Sequence, residues 1–83
     1  MKLKLKYPFT IPGGARVEAL EMRRPRVKDL KAAQRAGEKD AEQELALMAL
    51  LITPAMTPED IEEMDLADYR AIQATFREMV GTD

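Results

Sequence analysis

The chain has 83 residues, of which 46% are hydrophobic and 5% aromatic, and its 13 Lys and Arg against 15 Asp and Glu give a net charge of −2. A chain this short predicts one domain, covering residues 1–83, with a modest core of aliphatic side chains and Met. The sequence has no Cys, His or Ser, which removes the usual metal ligands, nucleophiles and general bases, so we expect neither an enzyme nor a metal or cofactor site.

Two strands are predicted in the first 22 residues. Lys2–Tyr7 alternates Lys with apolar residues, the period of a half-buried strand. Two prolines and a Gly pair in residues 8–14 then predict a turn. A second strand is predicted over Ala15–Met22, where the apolar alternation changes face, so we expect a bulge or strong twist near Ala19.

Helices are predicted over the rest of the chain. Pro25 suits a first helical turn and predicts a helix from Arg26 to Ala36, and a second helix is expected from Asp40 until Pro54 stops it. Thr57 is predicted to cap a short helix. Asp65 is predicted to cap a last helix that ends at Gly81 and has the clearest amphipathic pattern.

This order predicts an α+β domain, with an N-terminal two-stranded β-hairpin followed by a small bundle of three to four helices. The longest apolar run, Leu45–Ile52, has eight residues, whereas a membrane span needs about twenty, so we expect no membrane partner. The acidic residues from Glu59 to Asp68 lack the spacing of a calcium loop and are interpreted as helix caps and a solvated face.

The run Leu45–Ile52 is the main candidate for a binding surface. Such runs most often belong to a core, yet a domain this small has few elements with which to cover one helix on all sides. Surplus apolar surface would then bind a helical client or a second copy, preferably on the side of Leu47 and Leu51, with Met48 and Ile52 facing the core. The candidate interface residues are Leu47, Leu50, Leu51, Met22 and Met56.

A basic cluster offers an alternative function. Residues 1–31 carry nine Lys and Arg against three acids, whereas residues 32–83 carry four against twelve. The densest group, Arg23, Arg24, Arg26 and Lys28, has the charge of a small nucleic-acid-binding regulator. The negative net charge and scarce aromatic residues favour instead an interaction with the protein's own acids.

The order of these signals resembles one family, the tail assembly chaperones of Mu-like contractile-tailed bacteriophages and prophages. The resemblance covers nearly the whole chain. Its most specific motifs are Arg23-x-Pro25-x-Val27-x-Asp29-Leu30, Thr57-Pro58-Glu59-Asp60-Ile61 and Asp65-Leu66-x-Asp68-Tyr69.

The resemblance implies a chaperone that binds the helical tape measure protein and keeps it soluble during tail assembly. It also implies action in the cytoplasm of the bacterial host and absence from the mature virion. A homo-oligomer and a longer form made by ribosomal frameshifting are further partners to expect. Nucleic acid is the less favoured partner.

Overall fold

The computed structural model describes residues 1–81 and shows an α+β fold in which an N-terminal hairpin and a short third strand form a small sheet that packs against helices. Its strands are β1 (Lys2–Thr10), β2 (Arg16–Met22) and β3 (Ile52–Thr53), and its helices are α1 (Val27–Gln34), α2 (Asp40–Leu51), α3 (Pro58–Ile61) and α4 (Leu66–Val80). The predicted hairpin and helices are therefore confirmed. Within residues 1–81, no helix is both long and apolar enough to cross a bilayer.

The sheet has a third strand, β3, which was not predicted from the sequence. The strands are antiparallel in the order β1-β2-β3, and Ile52 of β3 pairs with Met22 of β2. The expectation that α2 continues to Pro54 is wrong, because the backbone is already extended at Ile52. Pro54 disfavours helical backbone in the residue before it, and the two residues released from the helix pair with β2.

The hairpin contains an irregularity next to the predicted position, but its extra residues lie on the other strand. Lys4 pairs with Ala19 and Phe9 pairs with Val17, so residues 5–8 of β1 oppose a single residue of β2. This bulge leaves Tyr7 exposed, contrary to the simple alternation predicted for the first strand.

The predicted caps are confirmed. Thr57 Oγ1 accepts a hydrogen bond from the Asp60 amide at 3.1 Å, and Asp65 Oδ2 accepts one from the Ala67 amide at 2.9 Å. Gly81 has a φ of +70° and ends α4 in the left-handed conformation. The first helix ends earlier than expected, at Gln34.

The core lies between the sheet and the helices. The buried hydrophobic residues are Leu5, Val17, Leu20, Met22, Ala33, Leu47, Met48, Leu51, Ile52, Met56, Ile61, Met64 and Ile72.

Candidate functional site

An open apolar groove lies between α1, α2 and α4 and has a volume of about 470 Å³. Its lining residues are Leu30, Ala33 and Gln34 of α1, Asp40, Gln43, Glu44, Leu47 and Met48 of α2, and Gln73, Phe76 and Arg77 of α4. Each helix contributes residues three and four positions apart, which lie on one helical face. We call this surface the α1–α2–α4 groove.

The floor of the groove is one face of α2. From Asp40 to Met48 this face spans roughly 12 Å at the rise of an α-helix. Asp40, Gln43 and Glu44 make its N-terminal half polar, and Leu47 and Met48 make its C-terminal half apolar. The floor therefore combines an apolar contact surface with polar groups on one side.

The apolar walls come from α1 and α4. Leu30 leaves 49% of its surface exposed at the edge of the groove. Phe76 is half-buried and packs against the core from the opposite side. Leu30 and Phe76 therefore leave apolar surface open to a ligand above Leu47 and Met48, which are buried in the floor of the groove.

A carboxylate bridge joins two sides of the groove. Glu44 on α2 accepts a 2.9 Å hydrogen bond from the Tyr69 hydroxyl and bonds of 3.1 and 3.2 Å from the Gln73 amide, both on α4. Burial, and then the hydrogen bond to Glu44, raises the pKa of Tyr69 well above its usual value. Tyr69 therefore stays a hydrogen-bond donor at physiological pH, and the bridge fixes the spacing of α2 and α4.

The predicted interface residues occupy different places. Leu47 lies on the groove floor, and Leu50 is 43% exposed but is not among the groove residues. Leu51, Met22 and Met56 are buried. The expectation of a partly exposed Leu47–Leu51 face on α2 is wrong for the single chain, because α1, α3 and the core cover this helix. Whether the five residues take part in binding stays a prediction.

Two apolar groove residues were missed by the sequence analysis. Leu30 and Phe76 each belong to a predicted helix, and their spacing marked them only as residues of an apolar face. A local helical pattern shows which residues share a face, but not which neighbouring helices leave that face uncovered. The groove in which the three helices meet could therefore be identified only from the tertiary structure.

The basic cluster is divided by an internal ion pair. Arg23 donates two hydrogen bonds to the Asp29 carboxylate, at 2.8 and 2.9 Å, and the Arg26 amide donates a third at 2.8 Å. The Arg23 guanidinium, followed by the Arg26 amide, holds the pKa of Asp29 far below its usual range. Arg24, Arg26 and Lys28 remain exposed.

The acidic residues near the C-terminus have a structural role at one position. Asp68 is buried, and its two carboxylate oxygens accept hydrogen bonds from the Lys6 and Tyr7 amides in the β1 bulge, each at 2.9 Å. The interpretation of Asp68 as part of a solvated face is therefore wrong. Among residues 1–81, no three Asp or Glu side chains converge as a metal site would require.

Comparison with known proteins identifies a family. The family model described as "Phage tail assembly chaperone proteins, E, or 41 or 14" matches residues 2–81. No curated protein and no solved structure matches the chain.

Proposed function

The chain belongs to the phage tail assembly chaperone family, and on that premise we propose that it binds an apolar helical segment of the tape measure protein in the α1–α2–α4 groove. The family is not enzymatic, and it binds the tape measure protein during tail assembly. The α1–α2–α4 groove is the surface of this chain that we assign to this contact.

The observation that carries the proposal is the open groove formed by three helical faces. Helical clients commonly place residues at positions i, i+3, i+4 and i+7 into an apolar groove between helices. Leu47 and Met48 provide the floor for such a stripe, and Leu30 and Phe76 provide its sides. Met48 adds an unbranched side chain that adapts to clients of imperfect fit.

The polar half of the groove supports a reversible contact. Asp40 and Glu44 on one helix and Arg77 on another leave charged and polar groups around the apolar contact. A chaperone that must later leave its client is better served by many moderate contacts along a long helix than by one tight contact. We therefore propose that several copies bind one tape measure protein.

Co-expression with the tape measure protein of the same phage tests this proposal. Leu30→Asp places a charge at an exposed groove edge, so we expect the chaperone to fold but to lose most of its ability to keep the tape measure protein soluble. The matched control is Leu66→Asp on α4, because Leu66 is 61% exposed and is not a groove residue. Equal losses in the two variants would contradict a site in the groove.

We further propose that the chain acts as one domain over residues 1–83 and comes from a Mu-like contractile-tailed phage or prophage. The Arg23–Leu30 and Thr57–Tyr69 motifs support this narrower assignment. The same resemblance supports action in the host cytoplasm, absence from the virion and a longer frameshifted form. The neighbouring nucleotide sequence and the protein content of purified virions would test these points.

A further inference from the structure

A second cavity lies outside the α1–α2–α4 groove, between the start of α2 and α3, and has a volume of about 260 Å³. Its apolar part consists of Ala36, Leu45 and Pro58, and its rim carries Glu42, Glu59 and Glu62. All three carboxylates are exposed. The ion pairs found within residues 1–81 use other acids, so these three carboxylates are available to a ligand. We call this cavity the acidic pocket.

The segment from Arg24 to Lys28 has the complementary character. Val27 is 76% exposed, the largest exposed fraction among the large hydrophobic side chains of residues 1–81. Arg24, Arg26 and Lys28 surround it in sequence and are exposed. Since Arg23 already neutralises Asp29, the nearest acid in sequence does not compensate these three cations. We call residues 24–28 the basic segment.

We infer that the basic segment of one copy docks into the acidic pocket of a second copy, with Val27 on the apolar part of the pocket and its neighbouring cations against the rim carboxylates. An apolar side chain flanked by cations thus meets an apolar pocket flanked by anions. Complementarity of both polarity and charge favours this pairing over a like-charged partner.

One chain cannot satisfy both surfaces by itself. Val27 begins α1, whereas Ala36 of the pocket lies beyond its other end, so the nine residue steps from Val27 to Ala36 span roughly 13 Å at the rise of an α-helix. The contact therefore joins two different surfaces of neighbouring copies. Such a head-to-tail contact forms open chains unless its rotation closes a ring. Client binding by the groove is not required for this association.

Sedimentation velocity tests the inference with two variants that each remove one surface. Val27→Asp disables the basic segment, and an acid there suits the first turn of α1. The double variant Glu59→Gln with Glu62→Lys disables the pocket and leaves Glu42, which packs over Gly37, in place. Circular dichroism checks that each variant is folded, and Arg26→Glu provides a second variant of the basic segment.

We expect the average mass of the wild-type protein to rise with concentration beyond that of a dimer, and to fall as salt screens the charges. Each variant alone should associate at least tenfold more weakly. An equimolar mixture should form one-to-one pairs and nothing longer, because it retains one intact segment and one intact pocket. Leu66→Asp should associate like the wild type.

A monomeric wild-type protein, or a mixture that stays monomeric, would overturn the inference. Wild-type association of the Val27→Asp and Arg26→Glu variants would also overturn it. Failure here is distinct from failure of the client site, because Leu30→Asp should lose client binding while keeping self-association. Val27→Asp should lose self-association but still bind an isolated tape measure segment.

Discussion

Asp68 connects α4 to the irregular part of β1. Both oxygens of this buried carboxylate are used by the Lys6 and Tyr7 amides, which the bulge turns away from β2. One side chain therefore stabilises the bulge and joins it to α4. Sequence reasoning found the end of α4 correctly but could not show that an acid in its first turn bonds to residues more than sixty positions away.

Replacing Asp68 with Ala should lower the free energy of unfolding by about 1–3 kcal/mol, because two amides lose their acceptors in a partly buried site. Asp68→Asn should lose less, since its amide oxygen still accepts one bond. Urea denaturation of both variants measures the difference. Wild-type stability of Asp68→Ala would show that water replaces the carboxylate at no cost.

The ion pair of Arg23 with Asp29 predicts a pH dependence. The folded-state pKa of Asp29 lies below its unfolded value, so the pair contributes stability above pH about 4 that is lost as the pH falls further. Asp29→Asn should therefore be less stable than the wild type at pH 7. Urea denaturation should show that the difference in the free energy of unfolding between the two proteins becomes smaller as the pH falls from about 5 to about 2. A gap independent of pH would contradict this role.

At the scale of elements, the sequence predicts structure well where the signal is local. The caps at Thr57 and Asp65 and the left-handed end at Gly81 follow from residue types acting over one turn. The strand β3 was missed because two residues carry no periodicity of their own and become a strand only by pairing with β2. Tertiary pairing, rather than propensity, decides such a segment.

Leu50 and Leu51 on α2 differ in solvent exposure, so their replacement should have different effects on stability. Leu51 is buried in the core, so Leu51→Ala should cost roughly 2–5 kcal/mol. Leu50→Ala removes a partly exposed side chain and should cost less than about 1 kcal/mol. Thermal or urea unfolding of the pair provides the test. Similar losses would mean that Leu50 is covered in solution, as it would be in an interface between copies.

At the scale of the molecule, the candidate site could be predicted only in part. The apolar run of α2 pointed to Leu47 and Leu51, which are both buried, but only Leu47 lines the groove. Hydrophobicity cannot distinguish the two positions, because both are Leu in the same apolar run. Only the positions of the neighbouring helices show that Leu47 borders the groove and that Leu51 does not.

The response to salt distinguishes an apolar client from a phosphate backbone. The affinity of a tape measure segment for the groove should change little between about 50 and about 500 mM salt, a range over which phosphate contacts weaken steeply. Fluorescence anisotropy with a labelled segment measures this response, and a labelled DNA duplex serves as the comparison. A steep loss of affinity for the segment would indicate a site dominated by charge.

The central claim, that the client lies in the α1–α2–α4 groove, is tested most directly by NMR of methionine methyl groups. All three of these methionines are buried, but Met48 lines the α1–α2–α4 groove, whereas Met56 and Met64 do not. Titration with an apolar tape measure segment should shift the Met48 methyl signal and leave those of Met56 and Met64 nearly unchanged. Saturable binding that leaves Met48 unshifted while either of the others moves would contradict the account.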